Sequence, residues 1–108
     1  MPLLVPGILV LLCAGALQRP RDIDSMRHVV EIRGMAFHPA ELEIGRGDTV
    51  VWVNRDIVPH TATASGKPAW TTGTLVQDQS GEYVAQHSGT VWYFCELHPV
   101  MKGKLIIR

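Results

Sequence analysis

From His28 to the C-terminus, apolar and polar positions alternate in short runs rich in Val, Ile, Thr and aromatic residues, broken by Gly and Pro. No window sustains an apolar period of about 3.6 residues, which argues against long helices. The alternation predicts strands over residues 28–33, 41–44, 49–54, 60–64, 82–86, 90–95 and 103–107. Gly45-Arg46-Gly47-Asp48 reads as a turn between the second and third of these. Short strands at this spacing predict an all-β fold, an antiparallel sandwich or barrel.

Parity assigns faces. In 49–54, Val50, Trp52 and Asn54 share one face and Val51 and Val53 the other, because successive strand side chains point to opposite sides. In 90–95, Val91, Tyr93 and Cys95 share a face, with Trp92 and Phe94 opposite. Both faces of that strand are apolar. Either it is covered on both sides or Trp92 and Phe94 form an exposed patch. Trp52 and Trp92 are expected to serve core packing.

The start of the chain has a different character. Residues 3–12 are almost wholly apolar, too few to span a bilayer but suited to the apolar region of a signal peptide. Ala14-Gly15-Ala16 fits a small-x-small cleavage pattern, so cleavage is expected after Ala16, with export to the periplasm if the cell is Gram-negative. A retained leader would instead act as a membrane anchor. No Lys or Arg precedes the apolar run, which departs from the usual leader. Residues 17–27 read as a polar linker and 28–108 as one domain. The 108 residues carry 10 Lys plus Arg against 10 Asp plus Glu. That zero formal balance argues against nucleic acid and against a polybasic membrane role. After cleavage, a monomer without stable membrane insertion is expected.

Removal of the leader leaves Cys95 as the one cysteine. A single thiol in an exported chain has no disulfide partner, and a metal would resolve that by deprotonating and occupying the sulfur. Its neighbours support this: in Cys95-Glu96-Leu97-His98-Pro99-Val100-Met101 a thiol, an imidazole and a thioether recur every three residues. Pro59-His60 adds a second imidazole upstream. Two His, one Cys and a weak Met are the donor set of a blue-copper electron-transfer site, between the soft preference of Cu(I) and the nitrogen preference of Cu(II). Pro99 and Pro59 stiffen the two loops. Asn54, six residues before His60 at a strand end, has an amide suited to tying the two loops together. His28, His38 and His87 have no partner at ligand spacing and stay outside the site.

Phe37-His38-Pro39, the run Gly47-Asp48-Thr49-Val50-Val51-Trp52-Val53-Asn54, Val58-Pro59-His60-Thr61, Gly73-Thr74-Leu75, Gly89-Thr90 and Tyr93-Phe94-Cys95 with its His98 and Met101 recur in one family. Over about residues 35–108 the chain resembles the cupredoxins, the small blue-copper proteins, and among them the amicyanin and plastocyanin-like group. The two-residue gaps in Cys95–Met101 are those of the short amicyanin loop. The chain departs from the pattern at Val91, where many relatives carry an aromatic, and over 64–72, which is short. The resemblance implies a Greek-key β-sandwich and one type 1 copper per chain. It implies His60, Cys95, His98 and Met101 as ligands, with Asn54 supporting the loops. It also implies electron transfer between redox proteins, a cytochrome c or a dehydrogenase or oxidase among them. A copper-delivery protein using the same ligands without a redox circuit is the alternative. An enzyme is not expected, because four ligands leave no open metal position.

Overall fold

The computed structural model describes residues 25–108; the expected leader at 1–16 and linker residues 17–24 lie outside them. Eight strands form: β1 (Arg27–Arg33), β2 (Ala36–His38), β3 (Glu41–Ile44), β4 (Thr49–Asn54), β5 (Thr63–Ala64), β6 (Ser80–Val84), β7 (Gly89–Phe94) and β8 (Lys102–Ile107). They build two four-stranded sheets, β2-β1-β4-β6 and β3-β8-β7-β5. No helix occurs among the described residues, so none there can cross a membrane. The all-β sandwich is as expected, but both sheets are mixed. β1 runs parallel to β4, and β3 runs parallel to β8, because each pair is joined through the opposite sheet and not by a hairpin.

The predicted faces hold. Val50, Trp52 and Asn54 are fully buried, as are Tyr93 and Cys95. Val50, Trp52, Tyr93 and Cys95 join Val30, Ile32, Phe37, Ile44, Leu105 and Ile107 in one core between the sheets. Trp92 takes the outer face and is 53% exposed, so the expectation of core packing fails for it. Lys104, opposite it on β8, places its ammonium 4.9 Å from the ring centroid, and such a cation–π contact covers an exposed indole without burying it. Predicted strand 60–64 shrinks to Thr63–Ala64: His60 pairs instead with Leu75 in an isolated bridge. Predicted strand 82–86 begins two residues earlier and ends at Val84, since Ala85 bonds to Gly47 and Asp48.

The two ends of the sandwich differ. At one end converge the β1–β2 turn, the chain after β4 and the loop between β7 and β8, because β4 ends opposite Ile32 of β1 and β7 ends opposite Lys102. The other end is closed by Asp48. Its carboxylate accepts hydrogen bonds from Met26 N (3.0 Å) and Gly45 N (2.9 Å) and lies 2.8 Å from His28 Nε2. Burial alone would raise this carboxyl's pKa, but the bonds from His28, Gly45 and Met26 outweigh it and hold the group below its ordinary value. A depressed folded-state pKa contributes stability above the unfolded value and loses it as pH falls through the folded one. Asp48→Asn is therefore expected to cost about 1–3 kcal/mol near neutral pH. The gap to wild type should close as pH drops below 3.8, the ordinary value. Urea unfolding at both pH values checks this, and a gap independent of pH would refute it.

Candidate metal centre

The loop after β7 explains the spacing of its residues. His98 N donates to Cys95 O at 3.2 Å and Met101 N donates to His98 O at 2.9 Å, two successive four-residue turns that share His98. Cys95 N then donates to Met101 O at 3.1 Å and closes the loop on itself. Cys95, His98 and Met101 thus stand at the corners of a compact loop. Cys95 is fully buried, Met101 is buried and His98 keeps an exposed edge.

His60 arrives from the other sheet. Its backbone exchanges two bonds with Leu75 (3.1 and 2.8 Å), which fixes the loop between β4 and β5 against the chain after Gly73. The His60 ring is fully buried. Its Nδ1 lies 3.6 Å from Cys95 Sγ, and His98 Nδ1 lies 3.8 Å from the same sulfur. The three donor atoms fall within 4.8 Å of one another, and the two imidazoles meet at 63°. Sulfur–nitrogen edges of this length suit two donors reaching one first-row ion at about 2.0–2.3 Å. The donor set is soft at one corner and nitrogenous at two, which suits copper.

Hydrogen bonds involving neighbouring side chains brace both loops. Asn54 Nδ2 donates to Val58 O and to Leu75 O, both at 2.9 Å, and its Oδ1 accepts from Asp56 N at 2.9 Å. These bonds organise the approach to His60. The tie between the two loops is made by Thr61, which sequence reasoning did not single out. Thr61 N donates to Cys95 Sγ at 3.3 Å, and Thr61 Oγ accepts from Glu96 N at 2.9 Å. Its adjacency to His60 was the available signal. Asp56, also missed, has a side chain 2.8 Å from His60 Nε2. Burial would raise the Asp56 carboxyl, but bonds from Met35 N, His60 and Gly34 N hold it below the usual carboxylate range. The loops that carry His60 and His98 expose apolar side chains: Ile57 is 84% and Val100 87% exposed, with Val58 and Leu97 beside them in sequence.

A buried thiol facing two imidazoles at the end of a mixed β-sandwich defines a cupredoxin. The family model of copper binding proteins, the plastocyanin/azurin family, matches residues 24–108, and the chain belongs to that family. Its relatives include the amicyanin of Paracoccus versutus, 32% identical over 91 residues, with 81% of this chain and 69% of the relative covered. The amicyanin of Paracoccus denitrificans is 34% identical over 84 residues, covering 74% of this chain and 64% of the relative. Among solved structures, the Cu(I) form of an amicyanin point mutant superposes with a TM-score of 0.72 at 31% identity, covering 76% of this chain and 82% of that one. The cofactor of the chain is one type 1 copper.

Proposed function

We propose that the chain is a mobile carrier of single electrons, with His60, Cys95, His98 and Met101 as its copper ligands. The observation that supports this most directly is the Nδ1–Sγ–Nδ1 triangle, with edges of 3.6 and 3.8 Å to the sulfur, in which Cys95 and His60 are fully buried and His98 is partly exposed. When bound, copper supplies a one-electron couple between Cu(I) and Cu(II). The chain supplies the rest. Backbone bonds within Cys95–Met101, the His60–Leu75 bridge and Thr61 hold the donors in place without help from the ion, so a change of charge moves them little. Ile57, Val58, Leu97, Pro99 and Val100 are exposed apolar residues on the two loops that carry His60 and His98, and the partly exposed His98 is the contact point. A small apolar surface suits brief docking to a redox protein, because weak redox encounters bury little area. A cytochrome c, a dehydrogenase or an oxidase is the expected kind of partner, met outside the cytoplasm after leader cleavage. The relatives named amicyanin support the reading, and the chain spans about two thirds of their length.

Optical and EPR spectra of the copper-loaded protein test the site: an intense red-region thiolate band and narrow copper hyperfine splitting are expected. A colourless Cu(II) complex would overturn the carrier reading in favour of copper delivery. His98→Ala is expected to abolish efficient electron exchange with a c-type cytochrome. Exchange as fast as wild type would remove His98 from the route.

A further inference from the structure

Asp56 makes more polar contacts than its place in a loop requires. Its carboxylate accepts from Gly34 N at 2.7 Å and Met35 N at 2.9 Å, and its Oδ2 lies 2.8 Å from His60 Nε2. Gly34 and Met35 are the two central residues of the β1–β2 turn, flanked by the paired residues Arg33 and Ala36. Both have positive φ, 59° and 61°, which a primed hairpin turn requires and which Met adopts only with strain. Successive backbone N–H groups in such a turn point to one side and form a small seat for an anion. Asp56 occupies that seat. An ionised carboxylate accepts and never donates, so its two oxygens take all three donors, and His60 must carry its proton on Nε2.

The consequence falls on the other ring nitrogen. With Nε2–H committed to Asp56, the lone pair of His60 is on Nδ1, the atom 3.6 Å from Cys95 Sγ. The ring's rotation is fixed by the same bond. Asp56 is held in turn by its own N–H, which donates to Oδ1 of the fully buried Asn54. We propose that Asp56 is the positioning residue for His60, anchored by the β1–β2 turn, so that a hairpin more than 20 residues upstream sets the tautomer and orientation of the ring. The inference rests on the carrier reading only in treating His60 as a ligand; the tautomer is a property of the metal-free chain.

Two variants separate the roles. Asp56→Asn keeps the size but brings an amide that can donate to Nε2, so metal-free Asp56→Asn should shift His60 toward the Nδ1–H tautomer in nitrogen-correlated NMR. Asp56→Ala should give a mixture of tautomers. Copper loss to a chelator should speed up by about 10–100-fold in both, with a changed reduction potential. Met35→Gly keeps the N–H and relieves the positive φ, so it should leave the tautomer as in wild type. A purely structural Asp56 would lower the melting temperature and leave the tautomer untouched. An Asp56→Asn protein that folds and shows wild-type His60 tautomer and copper loss overturns the proposal. Should Asp56→Ala fail to fold, Asp56→Asn decides alone. If wild type shows no blue band, the carrier reading falls, and the metal-free NMR still judges this one.

Discussion

Replacing Cys95 with serine is expected to yield a folded protein that has lost the intense visible band and most of its copper affinity. The thiol is fully buried and lies in the triangle with His60 and His98. A serine hydroxyl is harder and stays protonated at neutral pH, so it supplies neither the soft donor nor the thiolate-to-copper transition. The fold should survive. The loop is closed by backbone bonds among Cys95, His98 and Met101, none of which uses the sulfur. Thr61 N, now 3.3 Å from Sγ, can donate to the new hydroxyl. A buried hydroxyl with one partner should cost about 1–2 kcal/mol. Copper titration followed by absorption, with urea unfolding of the metal-free protein, measures both effects. A red band of wild-type intensity in Cys95→Ser would remove Cys95 from the site.

How much of this was legible depended on whether a feature is local. The Cys95–His98–Met101 spacing could be read because the loop is two consecutive turns, and a turn has a fixed length in residues. The faces of β4 and β7 could be read because strand alternation is local too. The parallel pairing of β1 with β4 could not, since nothing in either segment states which distant strand will lie beside it. β2 is hidden in the sequence because a strand of three residues shows hardly one period, and Gly34-Met35 is not one of the Asn-Gly, Asp-Gly or Gly-Gly pairs that signal a primed turn. Asn54 was read as tying the two ligand loops together. In the structure it organises the approach to His60, whereas Thr61 makes that tie. Asp56 sits in a non-periodic loop, and only the fold brings Gly34 and Met35 to it. Trp92 resembled a core residue by type, and only the identity of the sheet's outer face decided otherwise.

Gly103→Ala should be among the most destabilising single-carbon additions in the chain. Gly103 lies opposite Tyr93 across β7 and β8, and a Cβ there would stand 2.2 Å from Tyr93 Cζ, 2.4 Å from Oη and 2.7 Å from Cε1. The tyrosine ring occupies the space that every other residue type would fill. It cannot swing aside: Phe37 packs its edge at 4.7 Å and Trp52 at 5.2 Å between centroids, and the side chain is 1% exposed. The depth of that burial also pushes its phenol pKa up to about 12, so no charge forms there under ordinary conditions. The added methyl must therefore part the two strands, at a cost of about 3 kcal/mol, the upper end for overpacked cores. The displacement reaches the metal loop from both sides, because Met101 precedes Gly103 by two residues and Cys95 follows Tyr93 by two. A weakened or shifted thiolate band should accompany the loss of stability. Tyr93→Phe gives no relief, since Cζ stays in place. Tyr93→Leu leaves a cavity on its own but should accept the alanine, so the double variant should be more stable than the sum of the single losses predicts. Urea midpoints for the four proteins of this cycle test the account. Wild-type stability in Gly103→Ala, or simple additivity in the cycle, would show that the Tyr93 ring does not hold that space.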